Sequence, residues 1–379
     1  MKVLHVYRTY FPDSQGGLEE VIRQICLAAK DHGVTSKVFT LSDEPFPHTL
    51  PRVEAEVVRV RKTFEIASCG FALTGMRRFA KEVEWADIVH YHYPWPFSDM
   101  MYLMAGRHRP AILTYHSDIV RQQFLLSIYR PLMSRYLNAM NVIVATSPNY
   151  FATSEVLSEY TDKVEVIPIG LDEPSYPVMH EQNRDLACAR QTYGEGFFLF
   201  VGVLRYYKGL HILLDAMQGA RYKVVIVGSG PVEHELRQQA RRLGLENVMF
   251  AGFVSDREKM ALFRLCRAVV FPSYLRSEAF GVTLLEGAMS ARPLISAEVG
   301  SGTSHVNIQG ETGIVVPPGN STALRHAMDE LHQHPQKARL MGVKARQRYE
   351  QLFTGARMGE RYAQVYRRIL NAQSAVASA

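Results

Sequence analysis

A chain of 379 residues that is 47% hydrophobic and 21% charged is long enough for two or three domains, and its apolar content excludes disorder as the default state. Lysine and arginine number 43 against 37 acidic residues, a charge of +6 that suits anionic partners, but no helix-turn-helix, RNA-recognition or zinc-finger pattern accompanies it and no nucleic-acid partner is expected. No apolar run reaches the roughly 18 residues of a membrane span, and Lys2-Val3-Leu4-His5-Val6 reads as a strand rather than a secretion signal, so a cytoplasmic chain is expected.

Short β-branched runs alternate with helical patterns from the start: residues 3–6, 36–40, 57–60, 88–91, 111–114, 142–145 and 164–167 read as strands, and 17–31 as the first helix. Such alternation predicts a parallel sheet covered by helices. Pro168, Pro174 and Pro177 then break the pattern, and a polar stretch follows to Glu195; an interdomain linker is expected over 173–195. A second series has strands at 197–203, 223–227, 248–250, 268–271 and 293–296, with helices such as 232–243 and 257–265 between them. The expected fold class is therefore α/β, with doubly wound domains over 1–172 and 196–355. After Pro317-Pro318-Gly319-Asn320 the pattern is helical at 321–332, 335–349 and 358–371, and residues 373–379 are small and polar enough to fray.

The segment Glu278-Ala279-Phe280-Gly281-Val282-Thr283-Leu284-Leu285-Glu286 carries the sharpest chemistry. Ala279, Phe280 and Gly281 open a helix whose N–H groups and positive dipole end suit an anion, while Glu278 and Glu286 accept hydrogen bonds from hydroxyls. Phosphate with hydroxyls points to a sugar nucleotide. Arg205 and Lys208 directly follow a predicted strand, at the sheet edge where open α/β sheets bind ligands, and supply cations for a leaving diphosphate. Gly16 and Gly17 stand at the first strand-helix junction and permit close backbone approach to a pyrophosphate. Gly228-Ser229-Gly230-Pro231 lacks the third glycine of a dinucleotide loop and reads as a turn lining the nucleotide pocket.

His116 follows the predicted strand 111–114, placed to donate to a sugar hydroxyl or to support positive charge at an anomeric carbon. Asp118 beside it either orients an acceptor or caps a helix. His90 and His92 alternate on one strand face, but a metal needs a third ligand and none is near in sequence. No metal is expected: the chain has no Asp-x-Asp triplet, and Cys26, Cys69, Cys188 and Cys266 form no Cys-x-x-Cys pair and read as reduced thiols.

With Gly16-Gly17, Tyr115-His116-Ser117-Asp118, Val166-Ile167-Pro168-Ile169-Gly170-Leu171-Asp172, Gly202-Val203-Leu204-Arg205-Tyr206-Tyr207-Lys208-Gly209 and Gly313-Ile314-Val315-Val316-Pro317 in series, the chain resembles the retaining glycosyltransferases of family 4. The resemblance runs from residue 2 to about residue 350. It implies two facing Rossmann-like domains (the GT-B type): an acceptor domain over 1–172, a nucleotide-sugar domain over 196–355, and a terminal helix within 356–379 that crosses back to the first. It also implies His116, Glu278 and Lys208 as catalytic residues. By the same resemblance, Glu278 is expected to contact donor-sugar hydroxyls and Glu286 the ribose, with Gly16, Gly17, Arg205, Lys208, Ala279, Phe280 and Gly281 expected to hold the donor. Many relatives have arginine where this chain has Val203, with Arg205 two residues on.

The resemblance implies no cofactor and a front-face path in which the leaving phosphate deprotonates the incoming hydroxyl. The run 204–210 is similar to bacterial mannosyltransferases of O-antigen and exopolysaccharide assembly, implying GDP-mannose or GDP-rhamnose as donor and a saccharide or polyprenyl-diphosphate-linked acceptor. An epimerase on the same fold, or a binding module without turnover, are the alternatives; a dehydrogenase fails for want of Gly-x-Gly-x-x-Gly. Residues 71–81 and 121–137 mix apolar and basic side chains, among them Arg77, Arg78, Lys81, Arg121, Phe124, Leu125, Leu126, Ile128, Tyr129, Arg130, Arg135 and Tyr136. They predict peripheral attachment to the anionic cytoplasmic membrane face, with core-facing helices as the plainer alternative.

Overall fold

β-Branched and aromatic runs too short for helices form two large sheets and a two-stranded one in the computed structural model, which describes residues 1–66, 69–119 and 123–377. The chain divides into two compact units, Met1–Gly170 with Gly355–Ala379, and Leu171–Thr354.

The first unit contains β1 (Lys2–Val6), β2 (Thr35–Ser42), β3 (Thr49–Pro51), β4 (Glu56–Arg61), β5 (Phe64–Ile66), β6 (Cys69–Phe71), β7 (Ile88–Tyr93), β8 (Ala111–Tyr115), β9 (Val142–Ala145) and β10 (Val164–Val166). Its eight-stranded sheet runs β10-β9-β8-β7-β1-β2-β4-β3, parallel except where β3 returns against β4. β5 and β6 form a separate hairpin. Every residue of β7 and β8 is buried, as expected of central parallel strands covered on both faces. Helix Gly17–Lys30 follows β1, with Glu19 and Glu20 in its first turn and Lys30 in its last, as its dipole favours. Its Val21, Ile22, Ile25, Cys26, Ala28 and Ala29 are buried. The terminal helix Gly355–Ala377 packs against it, close enough that a Cβ on Gly359 would lie 2.3 Å from the Ala28 carbonyl oxygen.

The second unit contains β11 (Phe198–Val201), β12 (Val224–Val227), β13 (Val248–Gly252), β14 (Ala268–Phe271), β15 (Leu294–Ala297) and β16 (Gly313–Val316). They form one parallel sheet, β13-β12-β11-β14-β15-β16. Strand order reverses at β11, flanked by β12 and β14, so the loops leaving β11 and β14 frame the crevice where such sheets bind ligands. In the first unit the same reversal falls at β1, between β7 and β2, and the loop leaving β1 ends at Gly16, the N-cap of the helix that Gly17 opens.

The expected linker over 173–195 is corrected by the structure: these residues belong to the second unit and include helix Arg184–Tyr193. Asn183 caps it by accepting from Asp185 N–H at 2.8 Å, Leu186, Ala189 and Tyr193 are buried, and Gly194 ends it at φ 80°. A polar composition conceals that narrow apolar stripe. The expected frayed tail is also corrected, since the terminal helix continues to Ala377; residues 378–379 lie outside the described residues. The short strands β3, β5, β6 and β16 were not among the sequence expectations.

Helix Met76–Trp85 buries Phe79, Glu82 and Val83, and Arg78 pairs with Glu82 at 2.8 Å. Helix Gln123–Ala139 buries Met133, Tyr136 and Leu137. Both are thus core-facing, with Arg77, Lys81 and Arg135 exposed. Arg121 and the side chains of Phe124, Leu125 and Leu126 lie outside the described residues.

Candidate functional site

Two loops close up at the crevice of the second unit because one residue between them has no side chain. Gly209 is left-handed, φ 69°, and a Cβ there would lie 2.0 Å from the Pro272 carbonyl oxygen. Tyr274 N–H donates to the Tyr207 carbonyl at 3.1 Å and fixes the approach. Lys208 is thereby set on Glu278, Nζ to Oε2 at 2.5 Å, and the Ser273 hydroxyl donates to the same oxygen at 3.0 Å. The two charged side chains are only 13% and 9% exposed, and the ammonium also stands 4.7 Å from the centre of the Phe271 ring. Glu278 Oε1 makes no hydrogen bond among the described residues, leaving an acceptor held rigidly by its neighbours.

Gly281, φ 90°, is the N-cap of helix Val282–Met289, which is buried from Thr283 onward and tied to β11 by Thr283 Oγ1 donating to the Val201 carbonyl at 2.9 Å. Phe280 is buried against the next loop: a Cβ on Gly302 would meet its ring at 2.5 Å, and Gly302 N–H donates to the Ala279 carbonyl at 2.8 Å. Phe280 thus packs the loop, and its contribution to an anion site is limited to backbone N–H. Glu286, inside the helix, pairs with Lys259 at 2.8 Å, and Lys259 also reaches Asp256 at 3.0 Å. Burial alone would lower the Lys259 ammonium, but the Glu286 and Asp256 carboxylates outweigh it and hold it above its ordinary value. Arg205 is exposed and makes no ion pair among the described residues, so it is not gathered onto the Lys208–Glu278 pair. Gly228 and Gly230 are demanded by packing: a Cβ at either would come within 2.1 Å of the Gly202 oxygen or 2.4 Å of the Leu204 oxygen. The loops after β11 and β12 lie backbone to backbone there.

In the first unit, Gly16 is extended, so its glycine is a matter of space: a Cβ would lie 2.6 Å from Glu19 Oε2, whose carboxylate folds back and accepts from Ser14 Oγ at 2.7 Å. Nothing stands within 4 Å of a Cβ at Gly17. His116 leaves β8 with its N–H on the Tyr93 carbonyl at 3.0 Å, and its ring enters a cluster that the sequence does not announce. His5 on β1 is the register partner of His90 on β7, and His92 is that of Thr114 on β8, so all of these side chains share one face. His116 Nε2 lies 3.0 Å from His92 Nδ1, and His92 Nε2 lies 3.1 Å from His5 Nδ1. His90 is bonded through Nε2 to Thr114 Oγ1 and through Nδ1 to the Tyr366 hydroxyl, each at 2.7 Å. Burial pushes His5 and His116 down to about 3, and burial with neighbouring histidines holds His90 and His92 well below their usual value; all four are neutral at pH 7.

The reading that His90 and His92 lack a third ligand is therefore corrected: His5 joins them, with ligand nitrogens within 4.8 Å of one another. Both nitrogens of His90 and of His92 are already hydrogen-bonded, however, so no lone pair is offered to an ion without breaking those bonds. The Asp118 carboxylate accepts from Tyr115 OH at 2.9 Å and Ser154 Oγ at 2.8 Å, and residues 120–122, where a helix that it could cap would start, lie outside the described residues. All four cysteines are free. Ser273 and Lys259 are site residues that the sequence reading missed; a small polar residue leaving a buried strand was a signal for Ser273, and none marked Lys259.

Residues 15–173 match the profile of Glycosyltransferase Family 4, and residues 190–348 that of Glycosyl transferases group 1. The chain is 52% identical over 354 residues to D-rhamnosyltransferase WbpZ of Pseudomonas aeruginosa, covering 93% of this chain and 92% of that one. It is 47% identical over 374 residues to O-antigen chain mannosyltransferase C of Escherichia coli, covering 99% and 100%. Among solved structures, sucrose-phosphate synthase of Thermosynechococcus elongatus aligns with a TM-score of 0.79 at 21% identity over 98% of this chain and 99% of that one. HepE of Anabaena in complex with UDP and glucose aligns at 0.77 and 22%, over 96% and 99%. Those two likenesses carry the fold, which is GT-B. Identity near half over nearly the whole chain carries more, and the protein belongs to the family 4 glycosyltransferases.

Proposed function

We propose that this glycosyltransferase moves mannose or a related 6-deoxyhexose from a GDP-linked donor, with retention and without a metal ion, to a saccharide hydroxyl of a polyprenyl-diphosphate-linked O-antigen acceptor. The observation that carries the proposal is the pair of near-full-length relatives, named for D-rhamnosyl and mannosyl transfer, sugars that share the ring configuration and differ at C6. The second unit has the matching chemistry. Lys208 would meet the diphosphate, with backbone N–H groups at Gly281 and beyond, while Glu278 would accept from sugar hydroxyls and Glu286 from the ribose. Neutral His116, in the first unit, would hold the sugar. Proton removal from the acceptor falls to the leaving phosphate, since no unpaired carboxylate base is called for.

The test is a panel of nucleotides and nucleotide sugars. GDP should raise the melting temperature more than UDP at equal concentration, since a ligand at a hundredfold its Kd stabilises by about 2.7 kcal/mol. Transfer from the GDP-sugar should survive EDTA, and the product should keep the donor's anomeric configuration by NMR. Uridine preference would remove the donor assignment; activity lost to EDTA and restored by magnesium or manganese would remove the metal-free mechanism.

A further inference from the structure

The hydrogen bonds His116–His92–His5 form a line that ends blind. Rings of His92 and His116 lie 5.3 Å apart, those of His5 and His92 5.4 Å, and both pairs are stacked within about 23°. At the far end, His5 Nε2 is buried and has no hydrogen-bond partner. His90 stands outside the line, because both of its nitrogens meet hydroxyls, which serve as donor or acceptor and impose no direction.

A neutral imidazole carries one N–H and one lone pair, so each link in such a line has a direction and the links must agree. Only two arrangements exist. In one, His5 keeps its proton on Nε2, where it is a buried donor with nothing to bond. In the other, Nε2 carries the lone pair, and His5 Nδ1–H donates to His92 Nε2, whose Nδ1–H donates in turn to His116 Nε2. Orphaned buried N–H groups are rarer than under-satisfied acceptors. The second arrangement leaves the proton of His116 on Nδ1, which has no partner among the described residues but, unlike His5 Nε2, is not sealed from solvent, so that its N–H is not orphaned in the core.

We propose that His5 and His92 are positioning residues that lock His116 in its Nδ1–H tautomer, so that His116 meets the sugar as a hydrogen-bond donor and has no lone pair free to act as a base. The proposal rests on the reading of His116 as a sugar contact and deepens it. The blind end of the line, some 111 residues away in sequence, decides which chemistry the imidazole offers.

The test is the tautomer itself, read by 15N NMR on the full chain labelled at histidine. Expected in the wild type at pH 7.5 is a single form of His116, protonated at Nδ1 and unprotonated at Nε2; the Nε2–H form, or an average of the two, would overturn the proposal. His92→Phe keeps a ring but cuts the line, so His116 should become a tautomer mixture and kcat should fall at least tenfold, with KM for the donor changing less than about twofold. His92→Gln puts an amide N–H against Nε2 and should restore the Nδ1–H form and most of kcat. If His92→Phe leaves a single Nδ1–H form and wild-type kcat, the positioning role is wrong. His116→Ala with undiminished transfer would instead refute the sugar contact and leave the tautomer result standing.

Discussion

Lys208 and Glu278 hold each other in a place that is mostly out of water, and the consequence for mutagenesis is twofold. Truncating either one removes a group aimed at developing charge or at the sugar, and transfer should fall about a hundredfold or more. It also strands the other: a buried pair with one partner removed loses on the order of 3 kcal/mol, because an uncompensated charge stays behind. Lys208→Ala and Glu278→Ala should therefore each lower the urea midpoint, and the double variant should lose less than the sum of the two. Initial rates together with unfolding curves check both parts; additive stability losses would mean that the pair is not coupled. Lys259 and Glu286 obey the same logic one helix away, Glu286 being 5% exposed in its side chain.

At the scale of elements, one device in each unit places its candidate residues. One is the glycine hinge of the second unit, where Gly209 lets the loops after β11 and β14 touch. The other is the terminal helix Gly355–Ala377, which covers the histidine face: Tyr366 bonds His90 and Tyr362 bonds Thr114 at 2.9 Å, one helical turn apart. Gly359 allows that helix to approach helix Gly17–Lys30. A methyl there would meet the Ala28 carbonyl oxygen at 2.3 Å, a contact that backbone must move to relieve. Gly359→Ala is expected to destabilise the first unit by about 1–3 kcal/mol despite its higher helix propensity, and Glu360→Ala, one residue on and exposed, to change it by less than about 0.5 kcal/mol. Denaturant melts of both variants decide the matter; equal stability would mean that the two helices are not in tight packing.

Across the whole molecule, the buried histidines make stability a function of pH. His5 and His116 titrate near 3 when folded, and His90 and His92 well below their ordinary value, whereas the unfolded chain takes up those protons below about pH 6.5. The stabilisation is therefore complete above that pH and drains away as the pH drops toward 3. Each histidine that is charged only in the unfolded chain adds about 1.4 kcal/mol per pH unit to the slope. Urea midpoints should fall steeply between about pH 6.5 and about pH 5, and His92→Phe should flatten the slope by about one proton. A flat profile would show that the cluster is protonated or solvated.

No helix among the described residues is long and apolar enough to cross a membrane, yet Phe64, Ile66 and Leu73 are 39%, 60% and 57% exposed, and Arg77 and Lys81, on the helix that follows Leu73, are exposed as well. We propose that these exposed apolar and basic side chains, rather than the core-facing sides of helices Met76–Trp85 and Gln123–Ala139, meet an anionic membrane. Co-sedimentation with anionic vesicles should weaken with salt and drop for Arg77→Glu with Lys81→Glu, each basic residue near such a surface being worth about 1 kcal/mol. Binding indifferent to both would remove the membrane partner.

Strand-helix alternation, Glu278, Glu286, Lys208 and the glycines at strand ends could be read in the sequence because local physics writes them there: a parallel strand is apolar along its length, and a helix N-terminus needs small residues before it. The helix at 184–193 escaped because its apolar stripe is narrow, and Lys259 because an ion-pair partner from another helix leaves no periodic trace. The histidine line shows the limit most plainly. His90 and His92 are adjacent on one strand, but His5 is brought beside them only when β1 and β7 pair in register, and His116 only when β8 joins on the other side. Register is a property of the assembled sheet, and so are burial, the loss of positive charge that burial imposes, and the missing partner of His5 Nε2. Residue types were present in the chain from the beginning; which proton each histidine carries was settled by the neighbours that folding supplied and the one it withheld.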